Sequence, residues 1–181
     1  MSRLTDIDNY LVVENGQIKE STFKQDIQIQ NQILTINEDA KVQIIYKATQ
    51  EGDYQFDITL KERLHVDLIE MYEASTKCRF TKNIKVNESC EVLRYVEKNS
   101  HENISIDLDE NVDVCANAHI SCAYVELTDY STFSKVKYQL LEEGASARLR
   151  LASLSKELEH KHYEMTLEHL APHTYGDMDN Y

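Results

Sequence analysis

The sequence predicts an all-β chain that winds as a parallel β-helix, and two observations support that prediction. The first is a short frame that occurs five times: an apolar residue, any residue, Glu, any residue, an apolar or small residue, any residue, and Val or Ala. The second is a set of short alternating runs between the frames, such as QFDITL, FTKNIKV and ENISIDL. Alternation with period two in residues such as Val, Ile, Thr and Tyr is typical of strands.

The spacing of the frames indicates stacked coils. The frames begin at Ile36, Leu60, Val86, Leu108 and Leu141, and their third residues are Glu38, Glu62, Glu88, Glu110 and Glu143. Successive frames start 24, 26, 22 and 33 residues apart, so the last interval is expected to hold an insertion. Each repeat has room for about two strands, and such coils bury their apolar faces by stacking on one another. The five glutamates are then expected to form a column along the molecule.

An antiparallel sandwich or jelly roll fits the strand lengths nearly as well, and only the repeat favours the β-helix over it. A chain of 181 residues is expected to form one domain with a real core. We divide it into an N-terminal cap or irregular segment, residues 1–35, and a β-helix core, residues 36–181. Within the first segment, Leu4 to Val13 is expected to form a short helix or cap over the first coil, because an open coil end presents unpaired backbone groups.

The composition argues against two classes of partner. The formal net charge of −13 makes the surface repel phosphate backbones and anionic lipid head groups, whereas a basic protein partner remains compatible with it. The N-terminus lacks the apolar segment of a secretory signal, and no window approaches the roughly 20 apolar residues of a membrane span. We therefore expect no nucleic acid, no membrane and a cytoplasmic location.

The four cysteines, at positions 78, 90, 115 and 122, are expected to be reduced thiols, and none has CxxC spacing. Cys90 occupies the small apolar slot of its frame and is predicted to point inward as an inert core residue. In VDVCANAHIS the inward set is predicted to be Val112, Val114, Ala116 and Ala118. Cys115 and His119 then point outward, and roughly 13 Å of strand between them is too far for one metal ion.

The run HKHYEMTLEH, which begins at His160, carries the main candidate metal ligands. As a strand it presents His160, His162, Glu164, Thr166 and Glu168 on one face, and Tyr163, Met165, Leu167 and His169 on the other. Two histidines separated by one residue lie roughly 6 to 7 Å apart at their bases, so His160, His162 and Glu164 are candidates for holding a transition metal. A solvated polar face explains the same residues, and His169 reads as a hydrogen-bonded core histidine.

Nothing in the sequence indicates a conventional enzyme. It contains no glycine-rich phosphate loop, no nucleophile elbow and no HExxH, and its four glycines leave few places for a backbone to hold a nucleotide. A β-helix enzyme that acts on polysaccharide would need a cleft of paired carboxylates and is usually secreted. We therefore expect a protein that is not an enzyme.

An ordered series of segments resembles the SufB/SufD family of iron–sulfur cluster assembly proteins, on the SufD side. The series comprises the turn at Leu141 to Ala145, His160 with Glu168-His169, the HLAPHT of His169 to Thr174, VDLIEMYE from Val66 with Glu70 and Tyr72, and NIKVNESCEVLRYV. It extends from about residue 40 to about residue 176. The motif residues are Glu168, His169, Pro172, His173 and Thr174.

The resemblance implies a right-handed parallel β-helix and a non-catalytic scaffold. Such a scaffold pairs with a SufB-like subunit and a SufC-like ATPase, or with itself across β-helix edges as a homodimer. It implies a transient iron–sulfur cluster in the complex and no cofactor held stably by this chain, and it assigns no cluster ligand here. Family members continue into a helical tail that contacts SufC, so a chain that stops at Tyr181 is expected to be a fragment or a reduced relative.

One alternative belongs to another functional class. A free-standing β-helix can act as a binding or oligomerisation module that associates edge to edge and has no metal role. The residues leave both hypotheses open.

Overall fold

The computed structural model describes residues 7–100, 103–155 and 159–181, and these residues form strands and no helix. The strands are β1 (Asn9–Glu14), β2 (Gln17–Thr22), β3 (Ile27–Gln30), β4 (Ile33–Ile36), β5 (Ala40–Ala48), β6 (Gly52–Gln55), β7 (Asp57–Leu60), β8 (His65–Ala74), β9 (Cys78–Val86), β10 (Glu91–Ser100), β11 (Ile106–Val114), β12 (His119–Glu126), β13 (Thr132–Leu140), β14 (Ser146–Ser153), β15 (Lys161–His169) and β16 (Tyr175–Asn180). No helix long and apolar enough to cross a membrane occurs in the described residues.

The strands form two sheets that face each other. Sheet A has the order β2-β1-β5-β8-β10-β12-β14-β16, and sheet B has the order β3-β4-β7-β9-β11-β13-β15, with β6 also paired to β9. From β5 onward the chain passes from one sheet to the other and back, and each strand pairs in parallel with its counterpart in the preceding coil. The result is a β-solenoid of about five turns. The predicted parallel β-helix is confirmed, and the antiparallel sandwich is excluded because the coils pair in parallel.

The core lies between the two sheets and follows the predicted alternation. In β11, Ile106, Leu108, Val112 and Val114 are fully buried, and the residues between them, Glu110 apart, are partly exposed. Each inward side chain stacks on its counterpart in the next coil, about 4.8 Å away, because the parallel strands are paired without a shift. Burial therefore comes from neighbouring coils, as expected for a solenoid.

One turn recurs on the same edge of five successive coils, between sheet B and sheet A, from the β7–β8 connection onward. Its left-handed residue has φ between 54° and 75° and is Arg63, Ser89, Asn117, Gly144 and His173 in successive coils. The backbone N–H of this residue donates to a carbonyl of the next turn: Arg63 to Glu88, Ser89 to Ala116 and Asn117 to Glu143, at 2.9 to 3.0 Å. These bonds stack the turns and satisfy backbone groups that would otherwise be unpaired.

The predicted column of five glutamates is wrong at one position. Glu38, Glu62, Glu88 and Glu143 lie in turns that precede strands of sheet A, but Glu110 lies in the middle of β11 and is buried. The turn of that coil is at Ala116, so the equivalent positions 62, 88, 116 and 143 are 26, 28 and 27 residues apart. Glu110 faces inward between apolar residues of a strand, and the segment around it matches the frame by chance. This match produced the uneven intervals of 22 and 33 residues between frames.

The expected N-terminal helix is also wrong over Asn9 to Val13, which form β1; Leu4 to Asp6 lie outside the described residues. Here Leu11 and Val13 pack inward beside Ile44 and Tyr46 of β5. The β1–β2 and β3–β4 hairpins begin the two sheets and are antiparallel. Each has a two-residue turn with positive φ, Asn15-Gly16 and Asn31-Gln32, the geometry that suits tight hairpins.

Candidate functional site

Two regions carry the charged and polar groups that could serve a function. The first, the interior ionic network, comprises Glu70, Lys82, Arg94 and Glu110 with the tyrosines that contact them. The second, the terminal coil, comprises β15, β16 and the turn between them. The four charged residues of the network occupy inward positions of β8, β9, β10 and β11, where apolar side chains would be usual.

Arg94 is the centre of the interior ionic network. Its Nε donates to Glu70 Oε2 at 2.6 Å, and its Nη1 and Nη2 donate to the two oxygens of Glu110 at 2.6 and 2.5 Å. Lys82 pairs with the other Glu70 oxygen. Each of these four charged residues is at most 3% exposed. The two cations and the two carboxylates therefore balance their charges inside the solenoid. The bidentate contact with Glu110 is the geometry that guanidinium and carboxylate favour.

Tyrosine hydroxyls complete the coordination of the two carboxylates. Tyr46 donates to Glu70 at 3.0 Å, and Tyr124 donates to Glu110 at 2.5 Å while contacting the hydroxyl of Tyr138 at 2.9 Å. The hydroxyl of Tyr72, stacked on Tyr46, has no partner in the described part of the chain. The network is therefore almost fully satisfied, which is the condition under which buried charges are tolerated.

The ionisation of the network follows from burial and from neighbouring charges. Burial by itself would raise the pKa of Glu70, but the attraction of Arg94 and Lys82 outweighs it and lowers that pKa to about 2. Burial lowers the pKa of Lys82 to about 8, and the attraction of Glu70 limits the decrease. At neutral pH both groups are charged, so the network offers ion pairs and no poised general base.

A second buried cluster links this interior to the terminal coil. Lys98 in β10 pairs with Glu126 in β12 at 2.6 Å and donates to Ser134 at 2.7 Å. The hydroxyl of Tyr163, in β15, donates to the same carboxylate at 2.9 Å. Lys161 pairs with Glu159 at 3.2 Å and donates to backbone carbonyls of the β12–β13 connection. Polar contacts thus continue from the middle coils to the last strand of sheet B.

The terminal coil leaves part of its inner face uncovered. Tyr163, Met165 and Leu167 point inward but are only partly buried, and no described strand pairs with the far edge of β15 or β16. A cavity of about 620 Å³ opens between β15 and the end of sheet A, lined by Leu149, Leu151, Ser153, Ser155, Lys161, Tyr163, Met165, Met178, Asp179, Asn180 and Tyr181. Apolar side chains and one buried cation therefore face an open coil end.

Two of the candidate metal ligands, His162 and Glu164, lie on the outer face of sheet B, and His160 precedes β15. All three are exposed, and His162 is stacked on Phe133 at 5.0 Å between ring centroids. Within residues 7–100, 103–155 and 159–181, no three His, Cys, Asp or Glu side chains are placed to hold a metal ion. The solenoid brings the three residues to one surface, and metal binding there stays a prediction.

The motif residues surround the turn from β15 to β16. Glu168 accepts from Gln139 at 3.0 Å and pairs with Lys137 at 3.0 Å. The ring of His169 bonds to the hydroxyl of Thr174 at 2.8 Å, while Pro172 and His173 form the turn. His169 was predicted to be a hydrogen-bonded core histidine; it is hydrogen-bonded but exposed, because no described strand covers β15.

The cysteines are four free, buried thiols, and Cys90 points inward as predicted. The prediction for Cys115 is wrong: its side chain is buried, because β11 ends at Val114 and the alternation stops there. For the same reason Ala116 lies in the turn and not in the inward set. Burial raises the pKa of Cys78 to about 12 and that of Cys122 to about 11, so these thiols are poor nucleophiles at neutral pH.

The interior ionic network was missed in the sequence, although period two would have found it. Glu70 lies between Leu68 and Tyr72 on the inward face of β8, and Arg94 lies between Val92 and Val96 in β10. Applied to every strand, the alternation that places Cys90 and Val92 inward also places these charges inward. The alternation does not show which of these inward charges form ion pairs.

Comparison of the chain with known proteins found no relative. Neither family models, nor curated proteins, nor solved structures gave a match to the chain.

Proposed function

We propose that this chain is a non-catalytic scaffold subunit of SUF-type iron–sulfur cluster assembly, which acts through contacts with SufB-like and SufC-like proteins. The observation that carries the proposal is the parallel β-solenoid, the fold that the ordered resemblance implies. The proposal is also supported by the position of the motif residues Glu168 to Thr174, which lie together at the open end of the solenoid.

The terminal coil is the surface we assign to the SufB-like partner. Leu170, Tyr175, Met178 and Tyr181 are each at least half exposed there, an unusual density of large apolar side chains for a solvated surface. An added strand beside β15 or β16 would pair with the free edge and cover the half-buried Tyr163, Met165 and Leu167. Association would thus bury apolar area and satisfy backbone groups in one step.

Any cluster would form transiently in the complex and is cargo of the assembly. We assign no cluster ligand to this chain. The nucleotide-driven motion would belong to the SufC-like ATPase, because the sequence has no phosphate-binding loop.

The test is co-expression with SufB-like and SufC-like proteins from the same genome, followed by affinity purification through this chain and anaerobic cluster reconstitution. We expect both proteins to co-purify and the cluster yield to rise. The double variant Leu170→Glu, Met178→Glu should abolish recovery of the SufB-like protein. Phe133→Glu, a comparable change at a 42% exposed site on the outer face of sheet B, should leave it intact.

Absence of association together with an unchanged cluster yield would contradict the proposal. Equal loss of recovery in the Phe133→Glu control would also contradict the assignment to the terminal coil, because it would show that any added surface charge blocks binding.

The open face of the terminal coil is also compatible with the second candidate function, the free-standing oligomerisation module. The half-buried apolar face and the cavity of about 620 Å³ at the terminal coil can be covered by a second copy as well as by a different protein. This function predicts that the purified chain forms a stable, metal-free homo-oligomer and does not bind SufB-like or SufC-like proteins. It also predicts that the Leu170→Glu, Met178→Glu variant is a monomer. Light scattering and elemental analysis of the purified chain measure both properties.

A further inference from the structure

The outer face of sheet A has an apolar centre that the solenoid does not cover. Leu93, the third residue of β10, is 62% exposed, and its neighbours Ile69, Tyr95 and Ala123 are partly exposed. They surround a shallow depression of about 300 Å³. The equivalent face of sheet B carries Arg, Lys, Asp, Asn and Thr at most positions, so the apolar centre is a property of sheet A alone.

The pairing register arranges this face in rows that cross the strands. From β5 to β16, the first row is Lys41, Asp67, Leu93, Ser121, Arg148 and Asp177, and the second row is Gln43, Ile69, Tyr95, Ala123, Arg150 and Asp179. Each row has a large residue on β10, Leu93 or Tyr95, and a small residue beside it on β12. In the first row the outermost residues, Lys41 and Asp177, have opposite signs, and so do the next two, Asp67 and Arg148.

This order is self-complementary under a two-fold axis that is parallel to the strands and passes between β10 and β12. The axis places Leu93 against Ser121 of the second copy and Tyr95 against its Ala123. It also places Asp67 against Arg148 and Lys41 against Asp177, so every charge of the first row meets the opposite sign. Large residues then meet small ones at the centre, and the ion pairs of the first row lie on either side of them, as in specific interfaces. In the second row Arg150 lies against Ile69 of the second copy, where its aliphatic stem covers the isoleucine and its guanidinium stays in water.

The other two-fold arrangement of the same face is less favourable. An axis parallel to the solenoid would reverse each strand, so that Asp67 would face Met71 and Leu93 would face Glu97 of the second copy. Those contacts place carboxylates against apolar side chains, which costs desolvation without a partner.

We infer that the outer face of sheet A is an interface between two copies of this chain, packed face to face about the axis between β10 and β12. Six strands about 4.8 Å apart and four outward positions along each span at most roughly 500 Å² per copy, and the contact itself is smaller because Gln43 and Ile45 on β5 are fully buried. That area is at the small end of specific interfaces, so the dimer is reversible, with dissociation in the micromolar range. The inference uses a different surface from the terminal coil and does not rest on the proposed function.

The test is sedimentation equilibrium of the purified chain between about 1 and 200 µM, a range that brackets the expected dissociation constant. Wild-type protein should approach twice the 21.1 kDa mass of the chain. Leu93→Asp should raise the dissociation constant of the dimer at least tenfold. Asp67→Arg and Arg148→Asp should each weaken the dimer severalfold, and the two together should restore it, because the axis pairs these positions between copies.

Two controls separate this interface from other associations. Phe133→Asp, on the outer face of sheet B, should leave the dimer unchanged, and so should Leu170→Glu with Met178→Glu at the terminal coil. Circular dichroism verifies that each variant is folded. A wild-type monomer at 200 µM, a dimer that survives Leu93→Asp, or a double charge reversal that fails to restore association would each overturn the inference. Loss of the dimer only in the terminal-coil variant would assign association to that coil instead.

Discussion

The coil of β11 and β12 and the coil of β15 and β16 follow the same path but differ in burial. In β11, Leu108 and Val112 are at most 1% exposed; in β15, Tyr163 and Leu167 occupy the equivalent inward positions and remain partly exposed. The sequences of both strands alternate in the same way. The difference is that β11 has a neighbour on each side, β9 and β13, whereas among the described strands β15 pairs with β13 alone.

In a solenoid, an inward side chain is therefore buried by the coils on either side of it and not by its own coil alone. The comparison of the two coils also shows where charges can be enclosed. Arg94 and Glu110 are shielded because coils lie above and below them. In the terminal coil the inward Lys161 lines the cavity and is shielded instead by Glu159 and by carbonyls of the β12–β13 connection. Equivalent substitutions in the two regions should therefore have unequal effects.

The largest effect is expected for Arg94→Met in the middle of the stack. It leaves the carboxylates of Glu70 and Glu110 buried without their common partner, which costs about 3 to 5 kcal/mol of unfolding free energy. Urea denaturation measures the change. The matched control is Arg148→Met, which removes an exposed pair with Asp177 at 3.3 Å and should cost less than about 1 kcal/mol. Equal costs in the two variants would refute the view that enclosure by neighbouring coils sets the difference.

Truncation of apolar side chains sharpens the same comparison. Leu140→Ala in β13 removes a fully buried side chain and should destabilise by about 3 kcal/mol, within the usual range for core leucines. Leu167→Ala in β15 removes a side chain that is already partly exposed and should cost only about 1 kcal/mol. Paired urea titrations decide the matter, and a Leu167→Ala cost as large as that of Leu140→Ala would show that the terminal coil is covered in solution.

Acid should weaken the middle of the stack through Glu70. Since its pKa is lowered in the folded protein from 4.5 to about 2, the ion pairs contribute stability that is fully present above about pH 4.5 and is lost as the pH falls toward 2. The loss amounts to about 3 kcal/mol at most. Thermal unfolding between pH 6 and pH 2 measures it. Glu70→Gln should be less stable at pH 6 and should lose less on acidification; an acid limb as steep as that of the wild type would contradict the assignment.

The smallest effects are expected at the left-handed turn residues. Gly144→Ala places a methyl group at a φ of +75°, against the side chain of Asn117, and should destabilise by about 1 to 2 kcal/mol. His173→Gly at the equivalent turn of the terminal coil relieves a φ of +56° and should be neutral or stabilising by up to about 1 kcal/mol. Thermal melts compare the two, and a stabilising Gly144→Ala would show that the turns do not require the left-handed conformation.

The sequence predicted the solenoid because its coils repeat the same local physics. Period two places Cys90 and Val92 inward, and a small or polar residue marks each turn. It misplaced one coil because Glu110 satisfies the turn frame while lying in a strand. The charge of Glu110 is tolerated in the interior only because Arg94 pairs with it from the other sheet, sixteen residues earlier in the chain.

Other features were outside the reach of the pattern. The contact between Glu70 and Arg94 depends on the length of each coil, which varies between 26 and 28 residues at the turns. A shift of β10 by one residue relative to β8 would turn Arg94 outward and leave Glu70 buried without it. The β1–β2 hairpin was within reach, because Asn15-Gly16 after the apolar run Leu11 to Val13 is a strong turn pattern. The expectation of a short helix or cap over Leu4 to Val13 did not use that pattern.

The sharing of Arg94 between Glu70 and Glu110 restricts how this solenoid can change its length. A repeat protein usually gains or loses whole units with little disturbance, since every junction is alike. Counted from turn to turn, each central unit places one cation and one anion in the interior, Glu70 with Lys82 and Arg94 with Glu110. Excision of either whole unit should therefore leave a neutral interior. A unit excised between the β8–β9 and β10–β11 connections would instead remove Lys82 with Arg94 and leave two unpaired carboxylates, so the position of the junctions decides which changes in length are tolerated.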